Sequence, residues 1–295
     1  MTVDTVFETV AAVGSEVQSV LGDRRSYEGG HNPSGERQLA ADVYADDLLA
    51  ERLLALDSVA SYASEERETV QTSADSGDGP AVADATGTYH ISCDPLDGSS
   101  NLTSNNAMGT IVGVYDEALP APGSALVGAA YVLYGPITTM VTARDGTVRE
   151  YLVEDGERDL LEDDLTIAEE PVTYGFGGRI PDWPSAFVEY VEDIEADRLK
   201  LRYAGAMVAD VNQVLTYGGV FGYPMVEDRP EGKLRLQFEG VPMAAIVTAA
   251  GGASTDGTHS LLEKPAESLH ERSPVFVGNE SLIGRLEDAM TDWQP

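Results

Sequence analysis

Apolar residues fall with helical spacing over residues 3–21. Val3, Val6, Phe7, Val10, Val13 and Val17 share one face there, so the segment predicts an amphipathic helix. Gly, Asn and Pro in 29–35 predict a loop, and 39–56 predicts a second amphipathic helix. Residues 71–87, rich in Ser, Asp, Gly and Ala, predict an exposed loop. Strand-like apolar runs stand at 59–63, 88–93, 109–115, 125–134 and 137–143. Asp145-Gly146 predicts a tight turn from the last of these into a strand over 148–153.

A charged stretch at 154–170 predicts a boundary between two domains, 1–168 and 169–295. The second part alternates: strand 199–203, helix 206–216, strand 220–223, strand 233–238, helix 241–250, strand 275–278 and a closing helix over 282–292. Pro242 suits the first turn of its helix, and Gly251-Gly252 suits its end. Helices between runs of strands predict an α/β fold in which helices and sheets stack as α+β layers.

Composition narrows the class. Acidic residues number 51 and basic ones 18, a net charge of −33. That charge excludes nucleic acid and anionic membrane surfaces as partners, since both are bound by clustered cations. Lys200, Lys233 and Lys264 are the only lysines. A surface this acidic and this poor in Lys predicts adaptation to high salt, where screening shortens the reach of self-repulsion. Cys93 is the single cysteine, so no disulfide forms within the chain. The first residues lack a basic segment followed by a long apolar one, and no long apolar run occurs elsewhere; a cytoplasmic protein is expected.

The chemistry concentrates in Cys93-Asp-Pro-Leu-Asp-Gly-Ser-Ser-Asn101, directly after an apolar strand. Pro95 restricts its own backbone and that of Asp94, so the strand is expected to end in a turn where Asp94 and Asp97 converge. Gly98 allows a conformation other residues resist. The N–H groups of Gly98, Ser99 and Ser100 can then face an anion. Hard carboxylate oxygens beside such N–H groups describe a Mg²⁺–phosphate site. Glu65-Glu66, after the short strand 59–63, and Glu239, before a helix, are weaker signals when taken alone. Asp42, Asp46 and Asp47 lie on the second helix, where a solvated outer face is the plain reading.

Together these fragments resemble the metal-binding signature of the inositol monophosphatase superfamily, and more closely the class I fructose-1,6-bisphosphatase family. The resemblance rests on Asp94–Asn101, on Asn32-Pro-Ser-Gly-Glu with Ala41-Asp-Val-Tyr-Ala-Asp-Asp-Leu, on Ser64-Glu65-Glu66, and on Gly128-Ala-Ala-Tyr-Val-Leu-Tyr-Gly. It extends to Arg202-Tyr-Ala-Gly-Ala-Met-Val-Ala-Asp-Val, Tyr217-Gly-Gly-Val-Phe-Gly-Tyr223-Pro and Gly232-Lys-Leu-Arg-Leu-Gln-Phe-Glu239-Gly-Val-Pro-Met-Ala. It implies a stacked α-β-α-β-α sandwich and Mg²⁺-dependent hydrolysis of the 1-phosphate of fructose 1,6-bisphosphate, a step of gluconeogenesis. Glu65, Asp94, Asp97, Glu239 and the Leu96 carbonyl would hold two or three Mg²⁺ ions, with Mn²⁺ as an alternative. Glu66, assisted by Asp47, would orient and deprotonate the attacking water. Gly98, Ser99, Ser100 and Asn101 would contact the phosphate being removed. Tyr203, Tyr223 and Lys233 would hold the other end of the substrate. Arg202 would reach the distal phosphate of a neighbouring copy in a homo-oligomer.

The chain departs from the family pattern. Phe176 and Arg179 stand where the family has an Asn and a Tyr for the distal phosphate, so Arg179 is a candidate replacement. The AMP-binding pattern before the first helix is missing, and Ser104-Asn-Asn-Ala replaces a more apolar run. The competing readings are a phosphatase for inositol phosphate or sedoheptulose bisphosphate, and an inactive sugar-phosphate-binding relative. The charge itself makes one prediction. The midpoint of thermal unfolding falls when molar KCl is replaced by dilute buffer; equal midpoints contradict a salt-adapted surface.

Overall fold

The computed structural model describes residues 2–33, 35, 37–72, 87–226 and 229–291. Its framework is two sheets separated and flanked by helices. The larger sheet contains β3 (Val59–Ser64), β4 (Gln71–Thr72), β5 (Tyr89–Asp97), β6 (Met108–Tyr115), β7 (Leu126–Tyr134), β8 (Thr138–Arg144), β9 (Thr147–Glu154) and β10 (Glu157–Glu162). Its order is β10-β9-β8-β7-β6-β5-β3-β4, antiparallel except where β3 and β5 run parallel. The smaller sheet has the order β12-β11-β13-β17-β15, from β11 (Thr173–Phe176), β12 (Lys200–Leu201), β13 (Gly219–Tyr223), β15 (Ala253–Thr255) and β17 (Val275–Gly278). Two ribbons complete the strands: β1 (Tyr27–His31) with β2 (Arg37–Leu39), and β14 (Leu234–Arg235) with β16 (Arg272–Ser273).

Alternation along the strands builds the layers. Val112 and Val132 point to the face covered by α1 (Val3–Val20) and α2 (Ala40–Leu54), where they meet Phe7, Val10, Ala45 and Leu49. Ile111 and Tyr131 point the other way, to α5 (Met207–Tyr217) and α6 (Val241–Ala249). Those two helices touch both sheets, because Phe221, Val275 and Val277 join the same cluster from the far side. Val220 and Phe276, the alternate residues, face α4 (Ser185–Ala196) and α7 (Glu280–Met290). The stack is therefore helix, sheet, helix, sheet, helix, as the resemblance implied. Its middle layer explains why α6 is apolar nearly all round: a helix between two sheets has little solvent face.

Several local expectations change. The loop expected at 29–35 begins inside β1, which pairs with β2, while the Arg37 guanidinium packs 4.3 Å from the Tyr27 ring centroid. Most of the loop expected at 71–87 lies outside the described residues, as do Ser34 and Glu36; Gln71–Thr72 pair with β3 as β4. The charged stretch after 154 is not all linker. Glu157–Glu162 is an edge strand exposed along most of its length, which is why it is polar. The strand expected at 233–238 stops after Arg235, and Leu236–Gly240 turns as a π-helix. That wide turn swings Glu239 inward, as such turns do at functional sites. Among the described residues no helix is long and apolar enough to cross a membrane.

Candidate active site

A cavity of about 540 Å³ opens where β3, β5, the π-helical turn and the start of α5 converge. Its carboxylates come from separate elements. Glu65 follows β3, and its N–H donates to the Cys93 carbonyl at 3.0 Å, which extends the β3–β5 pairing by one residue. Asp94 and Asp97 lie within β5, where the register against β6 shifts between them, so the strand bulges. The bulge corrects the expected strand end: the Leu96 N–H donates to Asp94 Oδ1 at 3.0 Å, and β5 runs on to Asp97. Glu239 arrives on the π-helical turn and accepts the Arg235 N–H at 2.6 Å. One oxygen each of Glu65, Asp94 and Glu239 lies within 4.8 Å of the others. Asp97 also lines the cavity, accepting the Val208 N–H at 2.7 Å.

Beside this cluster the chain bends at Gly98, whose φ is +72°. A Cβ there would stand 2.3 Å from Ala206 Cβ, so only glycine fits. Gly98, Ser99 and Ser100 line the cavity, as does Leu96, whose carbonyl accepts the Ser99 N–H at 3.1 Å and keeps a second lone pair. Tyr203, Tyr223 and Lys233 line the same cavity, with Lys233 Nζ 5.2 Å from the Tyr223 ring centroid and its charge acting on Asp97. These three also border a second, adjoining cavity of about 790 Å³ that contains Arg179 and Arg229. Phe176 does not reach it; it is packed among Trp183, Phe187 and Tyr190.

Other expected residues lie elsewhere. Asp47 is outside the cavity: its side chain is 70% exposed and is held 2.7 Å from Arg67, which also binds buried Asp46 at 2.6 Å. Asp42 is the α2 carboxylate that lines the cavity, fixed by the Leu39 N–H at 2.7 Å. Helical spacing carried that signal, since Asp42, Ala45, Leu49 and Leu53 form one buried stripe that Asp47 misses. Asn101 turns away from the cavity and donates to the carbonyls of Ala107 and Ala204 at 2.8 and 2.9 Å. Arg202 is exposed beside Tyr217 and Gln213 and lines neither cavity. Arg235 stands in one of the motifs that carry the resemblance but is given no role by the sequence. It is 2% exposed, with Nη2 3.2 Å from Glu65 Oε1, and its Nη1 donates to the Lys233 carbonyl at 3.0 Å.

The comparisons with known proteins agree with this layout. The family model Fructose-1-6-bisphosphatase, N-terminal domain, matches residues 6–160, and Fructose-1-6-bisphosphatase, C-terminal domain, matches 167–291. The class 1 fructose-1,6-bisphosphatase of Natronomonas pharaonis is 62% identical over 289 residues, covering 98% of both chains. The chain belongs to the class 1 fructose-1,6-bisphosphatase family. The Halobacterium salinarum family member is 54% identical, again over 98% of each chain. The crystal structure of Leishmania major fructose-1,6-bisphosphatase in holo form superposes with a TM-score of 0.89 at 29% identity, covering 97% of this chain and 93% of that one. Its T-state form gives 0.83 at 28% identity, over 98% and 92%.

In this fructose-1,6-bisphosphatase fold the buried acids are under electrostatic stress. Burial pushes Asp94 well up, and Glu65, Asp97 and Glu239 add to the rise. Glu239 rises for the same reasons, burial first and then Glu65 and Asp97. Burial takes Asp97 to about 6 against N–H donation from Val208 and Met207. Glu66 goes to about 8 through burial, with Gln38 Nε2, 2.5 Å from its Oε2, opposing and Asp42 adding to the shift. An all-carboxylate set in this condition fits a hard divalent cation, and the family is metal-dependent. The sign of the pH effect follows. Acids raised in the fold stabilise it below their unfolded values, near 4, and lose that contribution as pH rises through about 6 to about 8. In chelator the unfolding midpoint should drop over this range, and added Mg²⁺ should restore it most at the alkaline end. Calorimetry at fixed KCl checks this: a Mg²⁺ effect independent of pH contradicts it.

Proposed function

We propose that the chain hydrolyses the 1-phosphate of fructose 1,6-bisphosphate, giving fructose 6-phosphate and inorganic phosphate, with Mg²⁺ as its metal and as a cytoplasmic homo-oligomer. The observation that carries this reading is the meeting of Glu65, Asp94 and Glu239 within 4.8 Å, in a cavity also lined by Lys233 and the tyrosines Tyr203 and Tyr223. Glu65, Asp94, Asp97, Glu239 and the Leu96 carbonyl are read as the holders of two or three ions. Bound Mg²⁺ supplies Lewis-acid polarisation of the ester and neutralises charge on the leaving oxygen.

The chain's own groups do the rest. Glu66 is read as the base that takes a proton from the attacking water, and its raised affinity for protons suits that task near neutral pH. Asp42, which lines the same cavity, replaces Asp47 as its assistant. Gly98 and Ser100 are read as turning N–H groups, and Ser99 and Ser100 hydroxyls, to the phosphate that leaves, while the Ser99 N–H stays on the Leu96 carbonyl and holds the loop. Tyr203, Tyr223 and Lys233 bind the sugar end, and Arg179 in the adjoining cavity offers the distal phosphate a cation. Arg202, exposed beside Tyr217, is read as the group presented to a neighbouring copy.

Phosphate release in Mg²⁺ and molar KCl tests the reading, with fructose 1,6-bisphosphate, sedoheptulose bisphosphate and inositol monophosphate compared. The highest kcat/KM is expected for the first. A higher value for another ester reassigns the substrate, and no release from any of them supports the inactive relative. Asp94→Asn should lower kcat at least about a hundredfold. Lys233→Ala and Arg179→Ala should each raise KM about tenfold with kcat little changed. Asp42→Asn should lose most turnover, while Asp47→Asn stays within about twofold of wild type. The reverse order for Asp42 and Asp47 would restore the helix's outer face to the mechanism.

A further inference from the structure

Asp210, in the first turn of α5, faces the same cavity but has no part in the reaction as derived above. Its carboxylate is buried, and Oδ1 accepts the Ala204 N–H at 2.7 Å while Oδ2 accepts the Gly205 N–H at 3.3 Å. The turn it grips carries Tyr203 at one end and Ala206 at the other. Ala206 is the residue packed against Gly98, where a Cβ would have no room. Gly205 holds a φ of +81°, which glycine adopts freely and which bends the chain between Tyr203 and Ala206. The same turn is tied to the metal-side loop by Asn101 Nδ2, which donates to the Ala204 carbonyl at 2.9 Å, and the start of α5 that follows it is tied by Asp97, which accepts the Val208 N–H. Asp210 thus completes a set of bonds joining the loop that faces the leaving phosphate to the turn that presents Tyr203.

We propose that Asp210 is a positioning residue that sets the distance between the phosphate loop at Gly98–Ser100 and the sugar-binding side chain Tyr203. It acts through the backbone of Ala204 and Gly205 rather than by touching substrate. Burial raises the acid's proton affinity to about 7, with the two N–H donors opposing and Asp97 adding to the rise, so the donors replace only part of the solvation the carboxylate has lost. The part of this inference that concerns catalysis rests on the fructose-bisphosphatase reading; the part that concerns the turn does not.

Two measurements separate them. In the metal-free protein without substrate, Asp210→Ala should speed amide hydrogen exchange at Ala204 and Gly205 by about tenfold or more, as expected for loss of charge-assisted bonds. Asp210→Asn, which keeps one acceptor oxygen, should lie between Ala and wild type. Exchange unchanged in Asp210→Ala overturns the latch whatever the substrate. In turnover of fructose 1,6-bisphosphate, Asp210→Ala should raise KM about tenfold with kcat within about threefold, and Asp210→Asn should recover part of the loss. Tyr203→Ala combined with Asp210→Ala should raise KM no further than Tyr203→Ala alone, because both remove the same contact. Additive effects, or equal losses in kcat and thermal midpoint with KM unchanged, would make Asp210 a structural residue only. Inactive wild type would count against the proposed function and leave the exchange result standing.

Discussion

The structure depends on the crowding of like charge in a place water hardly reaches. Asp94, Asp97 and Glu239 are each no more than 6% exposed, and Glu65 joins them at the cavity wall. Carboxylates so placed repel one another and lose solvation, so the metal-free fold holds protons it would otherwise release. Arg235 relieves one member of the cluster from the side. A divalent cation relieves all of them together, and in doing so turns a site that would repel an anionic ester into one that attracts it.

Each layer of the fold serves that crowding. The parallel pair β3 and β5 brings Glu65 level with Cys93 and so beside Asp94. The bulge in β5 lets Asp94 and Asp97 both face the cavity, although they are separated by an odd number of steps along a strand. The π-helical turn before α6 performs the same service for Glu239. The central helices, buried between two sheets, hold these irregular backbones in register. Without that packing neither the bulge nor the wide turn would persist.

What could be read beforehand follows from how local each signal is. Asp94-Pro-Leu-Asp-Gly-Ser-Ser is a self-contained turn chemistry, and its residue types announce it. Glu65 and Glu239 carry no such local mark, because adjacent glutamates and helix-start carboxylates usually face solvent; only the resemblance joined them to Asp94. The choice of Asp47 over Asp42 went wrong for a physical reason. Sequence shows which residues are acidic, but the buried stripe of α2 decides which acid turns inward. Asn101 failed for another: its amide is committed to carbonyls of two different segments, a tertiary bond with no sequence signature. The β1–β2 ribbon and β10 were missed because neither carries apolar alternation: Tyr27–His31 holds two glycines, and Glu157–Glu162 is exposed along most of its length.

The divalent-cation site is open to titration calorimetry of Mg²⁺ into the metal-free protein, in molar KCl near neutral pH. Saturable binding with proton release is expected. Affinity should fall about tenfold or more in each of Glu65→Gln, Asp94→Asn and Glu239→Gln, with Asp47→Asn unchanged. Wild-type affinity retained in Asp94→Asn, or binding weakened as much by Asp47→Asn as by the other three, would contradict such a site.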